Sequence, residues 1–342
     1  MQTRMRNEVP GLADPGRRRA VGLIAAGGAA LGAPLAARAA ETEWAPRSAV
    51  RIVVPFAPGG TSDIVARLVA QHLSQSLGKP VVVDNRSGAN GNIGIAAVAN
   101  AAPDGHTLLF VSSAFLTNPA VAPDKPPYDP VRQFAPVCLA VTSPDVIVVN
   151  ASSSLRTLAD LIEAARRQPG ALNYSSPGNG NSVHLGGELL WRRAGVTLTH
   201  VPYRGAAPAV QAALSGEVQC ALTALPAARG HLAAGTLRAL AVGGEARWPD
   251  LPAVPTVAES GYPGYRSETM QALFAPAGTP AAAVRRFGSE VRRILALPAV
   301  RKQAGDQGFE VVASTPEALA VRVADEAPRW AEVAAAAHIR VD

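Results

Sequence analysis

The chain has 342 residues, 48% hydrophobic, 17% charged and 5% aromatic, enough for a core and, at roughly 150 residues each, for about two domains. Its 31 glycines, 29 prolines and two cysteines exclude collagen-like, coiled-coil and disulfide-scaffold proteins. The formal charge of +6 sits largely in residues 1–39, where Arg4, Arg6, Arg17, Arg18, Arg19 and Arg38 are opposed only by Glu8 and Asp14; beyond them the arginines are scattered, the only lysines are Lys79, Lys125 and Lys302, and no basic surface with stacking aromatics points to nucleic acid.

In the first forty residues, Arg17-Arg18-Arg19 precede the uncharged run Ala20 to Ala37, which exits through Ala37-Arg38-Ala39. Basic start, apolar middle and small-residue exit are the parts of an export signal. The arginine pair and the weakly apolar run suggest twin-arginine export, and general secretion stays open. Gly and Ala content and Pro34 make the run a poor membrane span. The expected product is cleaved after Ala39, periplasmic and not membrane-embedded. There Cys138 and Cys220 could pair, but without a spacing signature two buried thiols are the simpler expectation.

The remaining chain alternates strand and helix patterns, which argues for α/β layers. Val50 to Val54 reads as a buried strand and Pro55 to Thr61 as a Pro/Gly loop. Ile64, Val65, Leu68, Val69, Leu73 and Leu77 recur at helical spacing. Gly78-Lys79-Pro80 stops that helix before the strand Val81-Val82-Val83. Asn85 to Gly94 is a Gly/Asn loop into an Ala-rich helix, and Thr107 to Val111 a further strand. Residues 112–136 read as irregular and Pro-rich. A second series starts near Val137: strand Val146 to Val149, helix Thr157 to Arg167, strand Leu172 to Ser175, a Gly-rich loop, and a helix carrying His184 to Trp191. Strand Leu198 to Tyr203, helix Ala206 to Leu214 and strands Val218 to Leu222 and Leu237 to Val242 follow. After a Pro-rich connection at 249–263 come helices at 280–296 and 316–337.

Two strand-to-helix loops carry the chemistry. In Pro55-Phe56-Ala57-Pro58-Gly59-Gly60-Thr61-Ser62-Asp63 the glycines allow close backbone approach. The first-turn amides of the helix have no internal partner and carry the positive end of its dipole, so they can bind an anion without a charged side chain. Thr61 or Ser62 can cap the helix or donate to a ligand, and Asp63 complements the dipole. A capped helix after a tight turn, with no ligand, is the competing reading. Ser175-Ser176-Pro177-Gly178-Asn179-Gly180-Asn181-Ser182 repeats the pattern, with His184 behind it. Catalytic base and packed, hydrogen-bonded side chain are both open roles for His184, the second being commoner. No G-x-S-x-G elbow, G-x-G-x-x-G turn or Walker lysine is present, and the six histidines lack the close pairing of helical zinc sites.

From Val50 to the C-terminus the chain resembles the Bug receptors, the extracytoplasmic solute-binding proteins of tripartite tricarboxylate transporters. The motifs run in order: Ile52-Val53-Val54-Pro55-Phe56-Ala57-Pro58-Gly59-Gly60, Val83-Asp84-Asn85-Arg86-Ser87-Gly88-Ala89, Ala102-Pro103-Asp104-Gly105-His106-Thr107-Leu108, Tyr174 to Gly180 with His184-Leu185, His200-Val201-Pro202-Tyr203-Arg204-Gly205, and Ala275-Pro276-Ala277-Gly278-Thr279-Pro280. The resemblance implies an α/β, two-lobed periplasmic binding protein (type II-like) fold with its ligand cleft between the lobes. It implies binding of a small carboxylate by Phe56, Gly59, Gly60, Thr61 and Asp63, then by Ser176, Gly178, Asn179, Gly180, Ser182 and His184, with Tyr203 and Gly205 in the cleft. The chain departs from the family pattern in three ways. Gln219 and Thr223 stand where aspartates are frequent, Met270 where Trp is frequent, and Asn181 displaces the second-loop serine to Ser182. Missing aspartates lean away from an amino-acid ligand.

The expected organisation is an export signal over 1–39, a first lobe from 40–142 plus 241–342, and a second lobe from 143–240. The expected function is a monomeric receptor, without catalytic residues, metal or cofactor, delivering a small organic carboxylate to membrane transporter subunits or a sensor kinase. Two alternatives stand: a secreted α/β hydrolase of a small carboxylate ester using His184 with Ser176 or Ser182, and a ligand-sensing protein without a transporter.

Overall fold

The computed structural model describes residues 44–122 and 124–341; the expected export segment and its cleavage point lie outside them. Strand β1 (Val50–Val54) is buried except at Arg51, as a parallel strand covered on both faces requires. Helix α1 (Thr61–Leu77) ends on Gly78 in the left-handed conformation, a frequent helix stop. Strand β2 (Val81–Asn85), helix α2 (Asn92–Ala99) and strand β3 (Thr107–Ser112) follow. Strand β1 pairs in parallel with both β2 and β3, so the chain leaves it on one side and returns on the other.

The stretch expected to be irregular contains a helix, α3 (Ala114–Val121), with Pro119 inside it. Proline removes the amide that would bond the Phe115 carbonyl. The buried Tyr128 hydroxyl lies 3.1 Å from that oxygen and 3.2 Å from Ala114 O, which satisfies the group the proline frees. Phe115 stacks on Tyr128 and Phe274 and meets Phe134 edge-on.

Strand β4 (Phe134–Asn150) is one 17-residue strand where the sequence reading has a strand only over Val146 to Val149. Helix α4 (Leu158–Arg167), strand β5 (Asn173–Ser176), helix α5 (Ser182–Ala194), strand β6 (Thr199–Pro202), helix α6 (Ala206–Ser215), strand β7 (Cys220–Ala224), helix α7 (Leu225–Ala233) and strand β8 (Leu237–Val242) come next. Strand β5 pairs in parallel with β6 and β7, repeating the arrangement around β1. Strand β9 (Glu268–Pro276), absent from the sequence reading, runs antiparallel between β3 and β4. Helices α8 (Ala281–Leu295) and α9 (Pro298–Asp306), strand β10 (Glu310–Val311) and helix α10 (Pro316–Ala336) complete the described chain.

The sheet order is β2-β1-β3-β9-β4-β7-β5-β6, with β8 and β10 also on β4. Residues 134–144 of β4 pair with β9, and Asp145 to Asn150 pair with β7 and β8, so the two lobes meet along this strand. Alternate residues of each half face opposite cores: Ile52 and Val54 against Val53, Ile147 and Val149 against Val146 and Val148. Each lobe is therefore helix, sheet and helix in layers. Cys138 and Cys220 are free, buried in different core clusters, and burial pushes each thiol up to about 12.

Candidate ligand-binding site

Both Gly-rich loops leave the carboxyl ends of strands whose neighbours lie on opposite sides, β1 between β2 and β3, and β5 between β6 and β7. Such switch points open a crevice because successive connections diverge to the two faces of the sheet. In the first loop Gly59 has φ 79, a conformation that favours glycine. Gly60, the N-cap, is extended (φ −74), and a Cβ there would meet only Ala57 O at 3.4 Å. The amides of Thr61, Ser62 and Asp63 have no acceptor among the described residues.

The Asp63 carboxylate is occupied within the loop. It accepts from Gly59 N–H (2.9 Å), Arg67 Nε (3.0 Å) and Asn85 Nδ2 (2.9 Å). Burial opposes ionisation, but Arg67, the Gly59 amide and Asn85 together hold its pKa below the usual carboxylate range. Asn85 also donates to Phe56 O at 3.1 Å. From β9, the buried Gln271 accepts from Ser62 Oγ at 2.7 Å and donates to Thr61 Oγ1 at 3.2 Å. Thr61 thus keeps its hydroxyl hydrogen to donate elsewhere.

In the second loop Asn181 caps α5, accepting from His184 N–H at 2.9 Å. The Gly180 amide donates to His184 Nδ1 at 3.0 Å. The amides of Ser182 and Val183 have no acceptor among the described residues. His184 and His200 stack face to face, 3.6 Å between centroids and 12° between planes. His200 Nε2 is 2.7 Å from Ser176 Oγ, which also contacts Gly178 N (3.3 Å) and Gly178 O (3.1 Å). Behind them Tyr174 donates to Glu188 Oε1 at 2.5 Å. Burial lowers His184 to about 3, helped by His200, and lowers His200 to about 4; burial raises Glu188 and Tyr174.

Contacts join the two loops through α3. A Cβ on Gly91 would sit 3.1 Å from the Phe56 ring. Asn90 and Asn92 hydrogen-bond Asn118 of α3. A Cβ on Gly180 (φ 72) would come within 3.0 Å of Val121 and 3.1 Å of Val341. The hydroxyls of Thr117, Ser143 and Thr223 are buried without a hydrogen-bond partner.

The other expected site residues lie around this frame. Asn179 is exposed at the loop tip. The amides of Tyr203 and Gly205 brace the second loop at Ser176 O and Pro177 O, both 3.0 Å. The Tyr203 ring packs on the cluster around Val210, and burial followed by Glu217 raises its pKa. Arg204 is exposed and has no polar partner among the described residues. Ser176 is paired with His200 rather than His184. It is fully buried, and the nearby Glu188 accepts from Tyr174. Sequence reasoning missed Gln271 and His200: the first sits on an unforeseen strand, and the second reads as an ordinary strand residue.

Among the described residues no three His, Cys, Asp or Glu side chains group as metal ligands, and no helix is long and apolar enough to cross a membrane.

Residues 65–338 match the family described as the tripartite tricarboxylate transporter family receptor. The UPF0065 protein in the tcbD-tcbE intergenic region of Pseudomonas sp. (strain P51) is 40% identical over 95% of each chain. The structure of R. palustris Rpa4515 with adipate is 36% identical, with TM-score 0.79 over 86% of this chain and 99% of that one. MatC (Rpa3494) from Rhodopseudomonas palustris with bound malate is 34% identical, with TM-score 0.76 over 84% and 99%.

Proposed function

The chain belongs to the tripartite tricarboxylate transporter receptor family, and from that membership we propose that it is a periplasmic receptor, without catalysis, that binds a small organic dicarboxylate between its lobes and delivers it to a membrane transporter. We assign the lobes to residues 40–142 with 241–342 and to 143–240. The observation that carries the reading is the pair of helix starts with amides lacking acceptors, Thr61 to Asp63 and Ser182 to Val183, each at a switch point. Helix amides favour an anion, and neither loop contains Lys or Arg. In the two loops Asp63 is the only acid and is already bonded, so a ligand ammonium finds no free carboxylate there. Adipate and malate in the related structures support this chemistry.

Calorimetric titration of adipate, malate, citrate, hexanoate and glutamate tests it. Saturable binding of a dicarboxylate, with glutamate weaker, is expected; turnover of carboxylate esters without binding of the free acids would overturn it. Gly60→Val, which the backbone accommodates, should weaken binding severely with the fold intact. Arg204→Ala should change affinity less than about threefold, because an exposed charge contributes little. Loss of binding in the arginine variant alone would replace the helix-end account with an arginine clamp.

A further inference from the structure

We propose that His184 and His200 form an uncharged clamp that sets the shape of the second anion loop, His184 by accepting the Gly180 amide on Nδ1 and His200 by donating from Nε2 to Ser176 Oγ. The geometry stands by itself; its effect on ligand affinity rests on the carboxylate-receptor reading.

Counting hydrogens fixes both tautomers. A backbone amide 3.0 Å from His184 Nδ1 needs a bare nitrogen, so the ring proton of His184 is on Nε2. Ser176 Oγ has one hydrogen and two lone pairs. All three of its contacts are hydrogen bonds at once when Gly178 O, 3.1 Å away, takes the hydrogen and the Gly178 amide occupies one lone pair. The contact at 2.7 Å to His200 is then satisfied only if His200 Nε2 carries the donor. The groups facing the pair are Tyr174, Ser176 and Glu188. Glu188 is 3.9 Å from His184 Nε2 and already accepts from Tyr174. Two cations stacked 3.6 Å apart would repel, and the one facing carboxylate, Glu188, touches only His184 and is shared with the Tyr174 hydroxyl, so the packing favours the uncharged pair.

The clamp also selects which amides face a ligand. Gly180 N–H is turned inward to His184, which leaves Ser182 and Val183 as the ligand-facing donors of α5. His184 and His200 are thus positioning residues, acting through the loop rather than by touching the ligand.

Two substitutions separate this role from simple packing. His184→Asn keeps an acceptor near the place of Nδ1 but loses the stacked ring. His184→Phe keeps a ring against His200 and loses the acceptor. Amide hydrogen exchange at Gly180, followed by NMR, should stay slow in His184→Asn and become fast in His184→Phe. Affinity for adipate or malate should stay within about threefold in the first and fall about tenfold or more in the second. Slow Gly180 exchange in His184→Phe, or the opposite ranking of the two variants, would overturn the clamp. Wild-type protein that binds neither acid would refute the dicarboxylate reading, and Gly180 exchange would then decide the clamp alone. His200→Gln, retaining a terminal N–H, should preserve binding better than His200→Phe; equal loss in both would remove His200 from the clamp.

Discussion

Burial holds His184 near 3 and His200 near 4, against 6.5 for a free imidazole. A group whose folded pKa is depressed contributes stability that is present above the unfolded pKa and lost as pH falls toward the folded one. The window here runs from pH 6.5 down to about 3, and by pH 5 His184 alone should cost about 2 kcal/mol. Asp145 has the opposite sign. It is fully buried on β4, accepts from Ser267 Oγ (2.5 Å) and Thr269 Oγ1 (3.0 Å), and burial raises it from 3.8 to about 6. Its contribution is most favourable below pH 3.8 and is lost as pH rises through 6. The two effects offset one another in wild-type protein, so single variants are needed to resolve them. In urea denaturation, His184→Asn should flatten the loss of stability between pH 6.5 and 4.5. Asp145→Asn should stabilise at pH 8 by up to about 3 kcal/mol, a gain that disappears near pH 4. An Asp145→Asn effect of equal size at both pH values would show that the carboxylate is not the strained group.

Helix α3 shows how an element can depend on a distant side chain. Pro119 leaves the Phe115 carbonyl without its helical partner, and Tyr128 takes it over. Tyr128→Phe should therefore cost about 1–3 kcal/mol, the penalty of an unsatisfied buried polar group. In a Pro119→Ala background, where the amide is restored, the same change should cost measurably less; equal costs in the double-mutant cycle would separate the two groups. That dependence also explains why α3 was not legible in the sequence: a proline inside a short helix, followed by a Pro-rich stretch, reads as irregular. Strand β9 was hidden differently. Glu-Thr-Met-Gln-Ala-Leu-Phe-Ala-Pro has neither strict alternation nor a β-branched run, and it is extended because it lies between β3 and β4, a non-local cause. Of β4 only Val146 to Val149 reads as a strand, because Pro136 and Pro144 interrupt the rest, and one register shift falls just after Pro136. By contrast β1, α1, β5 and α5 were legible because their periodicity, glycines and helix starts are local. The same divide runs through the site. Both loops were visible, while Gln271, 209 residues from Ser62, and His200 enter only once the chain is folded.

At the scale of the whole molecule, the chain passes between the halves of the sheet at two adjacent places. Asp145 N–H donates to Ser267 O (3.1 Å), Gly243 N–H to Asp145 O (2.7 Å), and Ser267 N–H to Gly243 O (2.9 Å). These bonds hold the crossings side by side, while the loops after β1 and β5 leave strands on opposite sides of β4 in the sheet. One ligand can join those loops only by presenting an acceptor to each. Adipate has a carboxylate at both ends, and hexanoate has the same chain length with one. If each helix start takes one carboxylate, wild-type protein should prefer adipate by at least about tenfold, the worth of a hydrogen bond to a charged group at the lower end of its range. Gly60→Val removes the place of one carboxylate, so the preference should fall toward one even where weak binding survives. Calorimetric titration of both acids against both proteins measures the ratio directly. A preference for adipate that persists in Gly60→Val would place neither carboxylate on the first loop and would confine binding to the α5 side of the cleft.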